Sequence, residues 1–316
     1  MHAVIGYSLK RLGFAFVTLF LVLTCVFILV RIIPGDPAMV IAGEQASQAS
    51  IDAVRTRLGL DQPIMVQYAQ FLGQMLTGNF GNSMISNRPV LAEVLNVMPY
   101  TLELTFAALV LGVTLGVPAG VVAAVWRNRV PDYLMRLLSL IGLSAPAFVG
   151  AIVLMMVFAI QLRWFPVISA GGGGSLTEHI RNMALPTMSL ALIMMAYVTR
   201  VTRSAMLEVL GQDFVSTARA KGAPRRVVIW RHALGNCLIP ITTVVGLYLG
   251  ILIGNSVLTE IVFNRPGLGK LILNALTQRD YTLLQGLIVI YTLLVVIVNL
   301  LTDLTYGFLD PRVQYK

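Results

Sequence analysis

The sequence predicts an all-α membrane protein with six transmembrane helices. Of its 316 residues, 57% are hydrophobic and only 12% are charged, where a soluble globular chain averages roughly a quarter charged. The mean hydropathy of +0.82 agrees. The decisive observation is six stretches without Asp, Glu, Lys or Arg, at 12–30, 104–126, 137–162, 182–199, 233–259 and 281–302. Each reaches the ~18 residues that a spanning helix needs.

These runs are apolar all round. Barrel strands alternate apolar and polar positions over about 10 residues, so helices are the reading that satisfies every backbone polar group inside lipid. The composition excludes a disordered chain, a disulfide scaffold and an ordinary cytosolic enzyme. Cys25 and Cys237 lie inside apolar stretches and read as small buried hydrophobes. His2, His179 and His232 are too scattered for a metal cluster, and no metal or catalytic site is predicted.

The first run follows Lys10 and Arg11 like a signal peptide, but it is longer than the usual core and Arg31-Ile32-Ile33-Pro34 follows it without a cleavage pattern. It is expected to be a retained helix. The fourth run is the shortest and contains Pro186, which makes it the weakest of the six.

Orientation follows from basic residues in the connections. With the N-terminus in the cytosol, segments 1–11, 127–136, 200–232 and 303–316 hold 14 Lys and Arg, against 9 in the longer outside segments. Both termini are therefore expected in the cytosol. Trp126, Trp164 and Trp230 fall at ends of the expected spans, where an amphipathic ring prefers the headgroup zone. In the outside segment, Ile51, Val54 and Leu58 recur at helical spacing, Asp61-Gln62-Pro63 breaks the pattern, and Val66, Tyr68, Phe71, Leu72 and Met75 resume it. The run from Gly171 to Gly174 reads as an outside loop with no phosphate role.

Gly112, Gly116 and Gly120 line one face of span two, and Gly246, Gly250 and Gly254 one face of span five. Such spacing lets another backbone approach closely, whether in a static bundle or in one that rocks. Pro118, Pro146 and Pro240 each remove a backbone donor and can kink their helices. Glu103 and Asp303 lie at span edges and no charge lies deep in a span. That argues against proton- or sodium-driven transport, which uses buried ionisable groups.

Seven basic residues concentrate in 200–232. Local rules divide this segment. One helix continues from span four to about Leu210, Gly211 is expected to take the left-handed end position, and Asp213 to cap a second helix. Gly222 and Pro224 end that helix, with Arg219 and Lys221 at its negative pole. Its small residues Ser216, Thr217, Ala218 and Ala220 would allow close docking on a partner. A solvated basic loop obeying the charge-sidedness rule is the alternative.

Thr217-Ala218-Arg219-Ala220-Lys221-Gly222, followed by Arg231-His232-Ala233-Leu234 and Asn236-Cys237-Leu238-Ile239-Pro240, resembles the cytosolic signature of binding-protein-dependent ABC importer permeases. The closer likeness is to the peptide branch, the first permease subunit of dipeptide, oligopeptide, glutathione and nickel systems. Pro34-Gly35-Asp36-Pro37, Leu58-Gly59-Leu60-Asp61-Gln62-Pro63, Gly78-Asn79-Phe80-Gly81-Asn82-Ser83, Phe263-Asn264-Arg265-Pro266-Gly267-Leu268-Gly269, Arg279-Asp280-Tyr281 and Leu309-Asp310-Pro311-Arg312-Val313 extend it over the whole chain. The chain departs from the wider family at Ser216-Thr217-Ala218, where a Glu-Ala-Ala is usual, and at Gly235, where a Pro is usual.

The resemblance implies a type I ABC importer permease: a multi-pass subunit of the bacterial inner membrane, with residues 1–98 forming the first span and an extracytoplasmic segment and 99–316 a five-helix core. A coupling helix at about 213–222 would meet an ATPase through Asp213, Thr217, Ala218, Arg219, Ala220, Lys221, Gly222, Arg225 and Arg226. The implied partners are a second homologous permease subunit, two cytosolic ATPase subunits, an extracytoplasmic substrate-binding protein and membrane lipid, with no nucleic acid. The chain has no Gly-x4-Gly-Lys-Ser/Thr, so it is expected to hold no cofactor and to be no enzyme itself, with ATP and Mg bound by those partners. The cargo is expected to be di- or oligopeptides moved by alternating access. Glutathione is the alternative, on the surroundings of Ala42-Gly43-Glu44 and Trp126-Arg127-Asn128-Arg129, with nickel behind it. A gradient-driven secondary transporter is the rival from another class. No residue is assigned to substrate binding.

Overall fold

The computed structural model describes residues 2–32, 37–42, 46–57, 59–169 and 175–309. The expected motifs at Pro34-Gly35-Asp36, Gly43-Glu44, Leu58, Gly171 to Gly174 and Asp310-Pro311-Arg312-Val313 lie outside them. All elements among the described residues are helical: α1 (His2–Ile32), α2 (Pro37–Ala42), α3 (Gln48–Arg57), α4 (Ile64–Leu76), α5 (Val90–Val125), α6 (Val130–Ser144), α7 (Ala147–Leu154), α8 (Leu176–Leu210), α9 (Asp213–Ala220), α10 (Arg225–Val227), α11 (Leu234–Val262), α12 (Leu268–Thr277) and α13 (Tyr281–Leu309). A wider π-helical turn, Met155–Gln161, extends α7, and another, Val228–Ala233, joins α10 to α11. Five helices among the described residues are long and apolar enough to cross a membrane, and α6 with α7 makes a sixth span if the bent pair is counted as one.

The third expected span is not one straight helix. α6 and the α7 segment meet at 107°. Ala145 precedes a proline and takes an extended conformation (φ −97°, ψ 135°), and Pro146 itself sits at φ −57°, ψ 145°. A proline disfavours helical backbone in the residue before it, so two non-helical residues in a row open the corner. The fourth span is the opposite case. α8 runs for 35 residues straight through Pro186. Proline leaves the carbonyl four residues back without its helical donor. That carbonyl, on Asn182, instead accepts from the Ser169 hydroxyl at 2.6 Å. A capping box starts α8: the Ser175 hydroxyl accepts from the Glu178 amide while the Glu178 carboxylate accepts from the Ser175 amide.

The chain forms two compact units, one of Tyr100–Pro266 with the chain ends, the other of Leu9–Pro99 and Gly267–Ile297. In the first, α8 is the central helix and packs against α6, α7 and α11. It also meets α5 along the predicted glycine face. A methyl group added at Gly112, Gly116 or Gly120 would fall 2.6, 2.8 and 2.5 Å from side-chain carbons of Met194, Val198 and Thr202. Three glycines at every fourth position thus oppose three α8 residues at the same spacing, and the backbones approach to a distance only glycine permits. The Thr199 hydroxyl donates across this seam to the Gly116 carbonyl at 3.3 Å. The α11 run behaves differently: Gly250 lies against Asn299, but nothing lies within 4 Å of a side chain added at Gly254. That run does not form a continuous seam.

The second unit is held by two apolar clusters. One gathers Val90, Val94, Leu268, Ala275, Leu283, Leu284, Leu287 and Ile290; the other Val26, Phe27, Phe71 and Val289. The two helices expected from the outside segment are present as α3 and α4. Phe71 of α4 is buried against Phe27, their ring centroids 5.6 Å apart.

Candidate functional site

The segment expected to couple the permease to its ATPase follows α8. Gly211 is not left-handed as expected; its φ is −88° and it simply finishes α8, its amide bonding Glu208. The turn into α9 is made instead by Gln212 in an extended conformation (φ −81°, ψ 151°). Gln212 is the residue that precedes the helix, so Asp213 is not the cap; it stands in the first turn, where its carboxylate still faces the positive pole. The backbone carbonyl of Asp213 accepts from the Thr217 hydroxyl at 2.9 Å.

The far end matches the expectation. Gly222 has φ +80°, a region L side chains rarely adopt. The Ala223 amide bonds the Ala218 carbonyl at 3.1 Å and the Gly222 amide bonds the Arg219 carbonyl at 3.0 Å. These are the paired bonds of a Schellman ending, which needs a left-handed residue at Gly222. Pro224 then starts α10.

α9 is anchored by one residue. Val215 is fully buried, and the helix packs on the π-helical turn Val228–Ala233. Asp213, Thr217, Arg219, Ala220, Lys221, Gly222, Arg225 and Arg226 are exposed, and Ala218 is half-buried. Arg219 and Arg225 come together on the wall of a groove of about 400 Å³ floored by Ala124, Val125, Leu210 and Ile229. The π-helical turn that α9 packs on joins a cluster of Val121, Ala124, Met206, Ala233, Cys237 and Ile241. That cluster ties the ends of α5 and α8 nearest α9 to the start of α11, a foundation of three long helices.

Sequence reasoning passed over Phe214. It is 41% exposed at the tip of α9, beside the basic residues. An aromatic next to an expected helix start, adjacent to the apolar Val215, was the available signal, since exposed aromatics favour contact surfaces.

The motif Phe263-Asn264-Arg265 builds a second polar centre in the same unit. Arg265 is completely buried, and its Nη2 donates to Glu103 at 2.7 Å. The other carboxylate oxygen of Glu103 meets His179 Nε2 at 2.5 Å. Glu103 on α5 thus joins α8 to the loop after α11. The motifs around Ser83 and Asp280 also converge, in the second unit: Asp280 accepts from the Ser83 hydroxyl, the Met84 amide and the Leu283 amide.

The model of the family described as "Binding-protein-dependent transport system inner membrane component" matches residues 116–315, and that of its N-terminal region matches 4–105. The chain belongs to this family. The permease is 39% identical over 312 residues, 99% of its length and all of theirs, to the glutathione transport system permease protein GsiC of Escherichia coli strain K12. A similar relative in Salmonella typhimurium strain LT2 shows the same identity and coverage. Among solved structures, the inward-facing MetNI methionine ABC transporter matches with a TM-score of 0.57, covering 70% of this permease and 97% of that chain at 18% identity. The permease therefore has the type I ABC importer fold and is a multi-pass inner-membrane protein of the peptide branch.

Proposed function

We propose that this permease forms half of the pathway through which glutathione enters the cytosol, powered by ATP hydrolysis in separate subunits. The importer role follows from the family. The cargo rests on one observation, the 39% identity over 99% of the chain to relatives that bear the name of glutathione transport. Di- and oligopeptides are the second reading; glutathione is itself a tripeptide with a γ-linkage, so one pathway chemistry serves both. In the same reading, α9 and the arginines that follow it dock on the ATPase, a second permease subunit completes the bundle, and a binding protein delivers cargo at the other face. What supports the docking is the exposure of Arg219, Lys221, Arg225 and Arg226 over a buried, multi-helix foundation.

The test is uptake of radiolabelled glutathione and of a radiolabelled dipeptide by cells with and without the intact gene. Loss of glutathione uptake alone supports the cargo; loss of dipeptide uptake alone replaces it with the second reading. Uptake that survives ATP depletion but collapses with an uncoupler contradicts ATP coupling.

A further inference from the structure

α6 and α8 enclose a groove of about 330 Å³ that the transport reading does not use. Its polar wall carries Arg136, Arg200, Arg203 and Ser139, and its apolar wall includes Leu140 and Leu143. Asp132, itself fully buried, holds Arg203 through two hydrogen bonds of 2.6 and 2.8 Å. The same carboxylate accepts from the Asn128 amide at 3.0 Å and acts on Arg136 only at longer range. Among the described residues, neither Arg136 nor Arg200 has a carboxylate partner. The groove therefore has two guanidinium groups, Arg136 over the Tyr133 ring and Arg200, that form no direct ion pair among the described residues, beside a third that does. Guanidinium presents a fork of donors that matches a phosphate.

The surroundings choose the source of that phosphate. The α6 surface that leads away from the groove exposes Leu137, Leu140 and Ile141 at 53, 63 and 58%. In a multi-pass membrane protein such leucines have hydrocarbon for solvent. The basic wall lies at the end of α8 that runs on into α9 and the most basic segment of the chain, which the charge rule assigns to the cytosolic leaflet. A basic pocket between membrane helices, opening onto an apolar helix face at headgroup level, fits a ligand with a phosphodiester and acyl chains. A free phosphate leaves the apolar wall wet.

We propose that the α6–α8 groove binds the headgroup of an acidic phospholipid, with Arg136 and Arg200 on the phosphate and an acyl chain along Leu137, Leu140 and Ile141. The full-length permease, purified in mild detergent, is titrated with phosphatidylglycerol, phosphatidylethanolamine or inorganic phosphate and read by native mass spectrometry. Phosphatidylglycerol adducts are expected to dominate over phosphatidylethanolamine and to survive inorganic phosphate. R136Q/R200Q should weaken phosphatidylglycerol binding roughly 30-fold, from the ~1 kcal/mol that each surface-level basic residue supplies, and R136K/R200K, which keeps the charge without the fork, should lose less. Equal binding of the two lipids, displacement by inorganic phosphate, or unchanged adducts in R136Q/R200Q would each overturn the proposal. If the Gln pair does not fold, the lipid preference and phosphate resistance of the unmodified chain decide it alone.

Discussion

The Ser83 hydroxyl donates to the Asp280 carboxylate at 2.5 Å across 197 positions of sequence. Asp280 is 2% exposed, and it also accepts from the amides of Met84 and Leu283, the latter in the first turn of α13. One carboxylate thus caps a helix and pins the loop before α5. A buried hydrogen bond to a charged group contributes about 1.5–3 kcal/mol. Ser83→Ala removes one of the three bonds and Asp280→Ala all of them. Melting of the purified permease should fall in the order unmodified, Ser83→Ala, Asp280→Ala; equal melting of the two variants would show that the amide contacts carry nothing.

The α5–α8 seam predicts an asymmetry between two glycines. Gly116→Val places carbons against Val198 and the Met195 carbonyl. Overpacking of this kind costs ~1–3 kcal/mol, and the variant should show reduced folded yield on size-exclusion chromatography. Gly254→Ala meets nothing within 4 Å and should behave as the unmodified chain. A tolerated Gly116→Val would mean that the two helices separate without loss.

Gly211 and Gly222 flank α9 and differ in backbone conformation, at φ −88° and +80°. Gly222→Val strains the left-handed position by ~1–2 kcal/mol and should uncouple ATP hydrolysis from uptake while insertion persists. Gly211→Ala should leave uptake intact. Uptake assays beside membrane-fraction blots separate the two outcomes.

The exposed arginines of α9 and α10 give a partner test. Arg219→Glu combined with Arg225→Glu reverses the charge of both arginines that line the 400 Å³ groove. Recovery of the ATPase in pull-downs with the permease is expected to drop at least severalfold, and the drop should deepen at low salt, where surface charge is least screened. Undiminished recovery would move the docking face elsewhere.

Glu103→Ala leaves the fully buried Arg265 without its carboxylate. Uncompensated buried charge costs about 3–5 kcal/mol, so this variant should melt well below His179→Ala, which removes only the half-exposed partner. Differential scanning fluorimetry makes the comparison.

Much of this architecture was legible because apolar run length, glycine spacing and turn chemistry are local. The six runs, the α5 glycine face and the left-handed Gly222 all depend on neighbouring residues. The features that escaped depended on distant ones. Pro186 looked disruptive because the Ser169 hydroxyl that rescues the Asn182 carbonyl lies in another segment. Pro146 reads only as a possible kink within one span because run length is blind to the paired extended residues at Ala145 and Pro146. Asp213 looked like a cap because composition alone does not reveal that the chain turns one residue earlier, at Gln212. The Arg265–Glu103–His179 centre joins three elements, and no spacing rule could assemble it.

The π-helical turn Val228–Ala233 sits inside a run, Arg225–Val262, that is otherwise continuous helix. Such a turn takes up a surplus residue and so offsets the angular phase of the α11 residues by about 100°. The bearing of Arg225 and Arg226 around the axis is thereby shifted by that fixed angle relative to Cys237 and Ile241. A helical wheel drawn across the whole run would therefore place residues on one side of the turn at the wrong bearing, and the basic surface faces a direction that the buried face of α11 does not foretell.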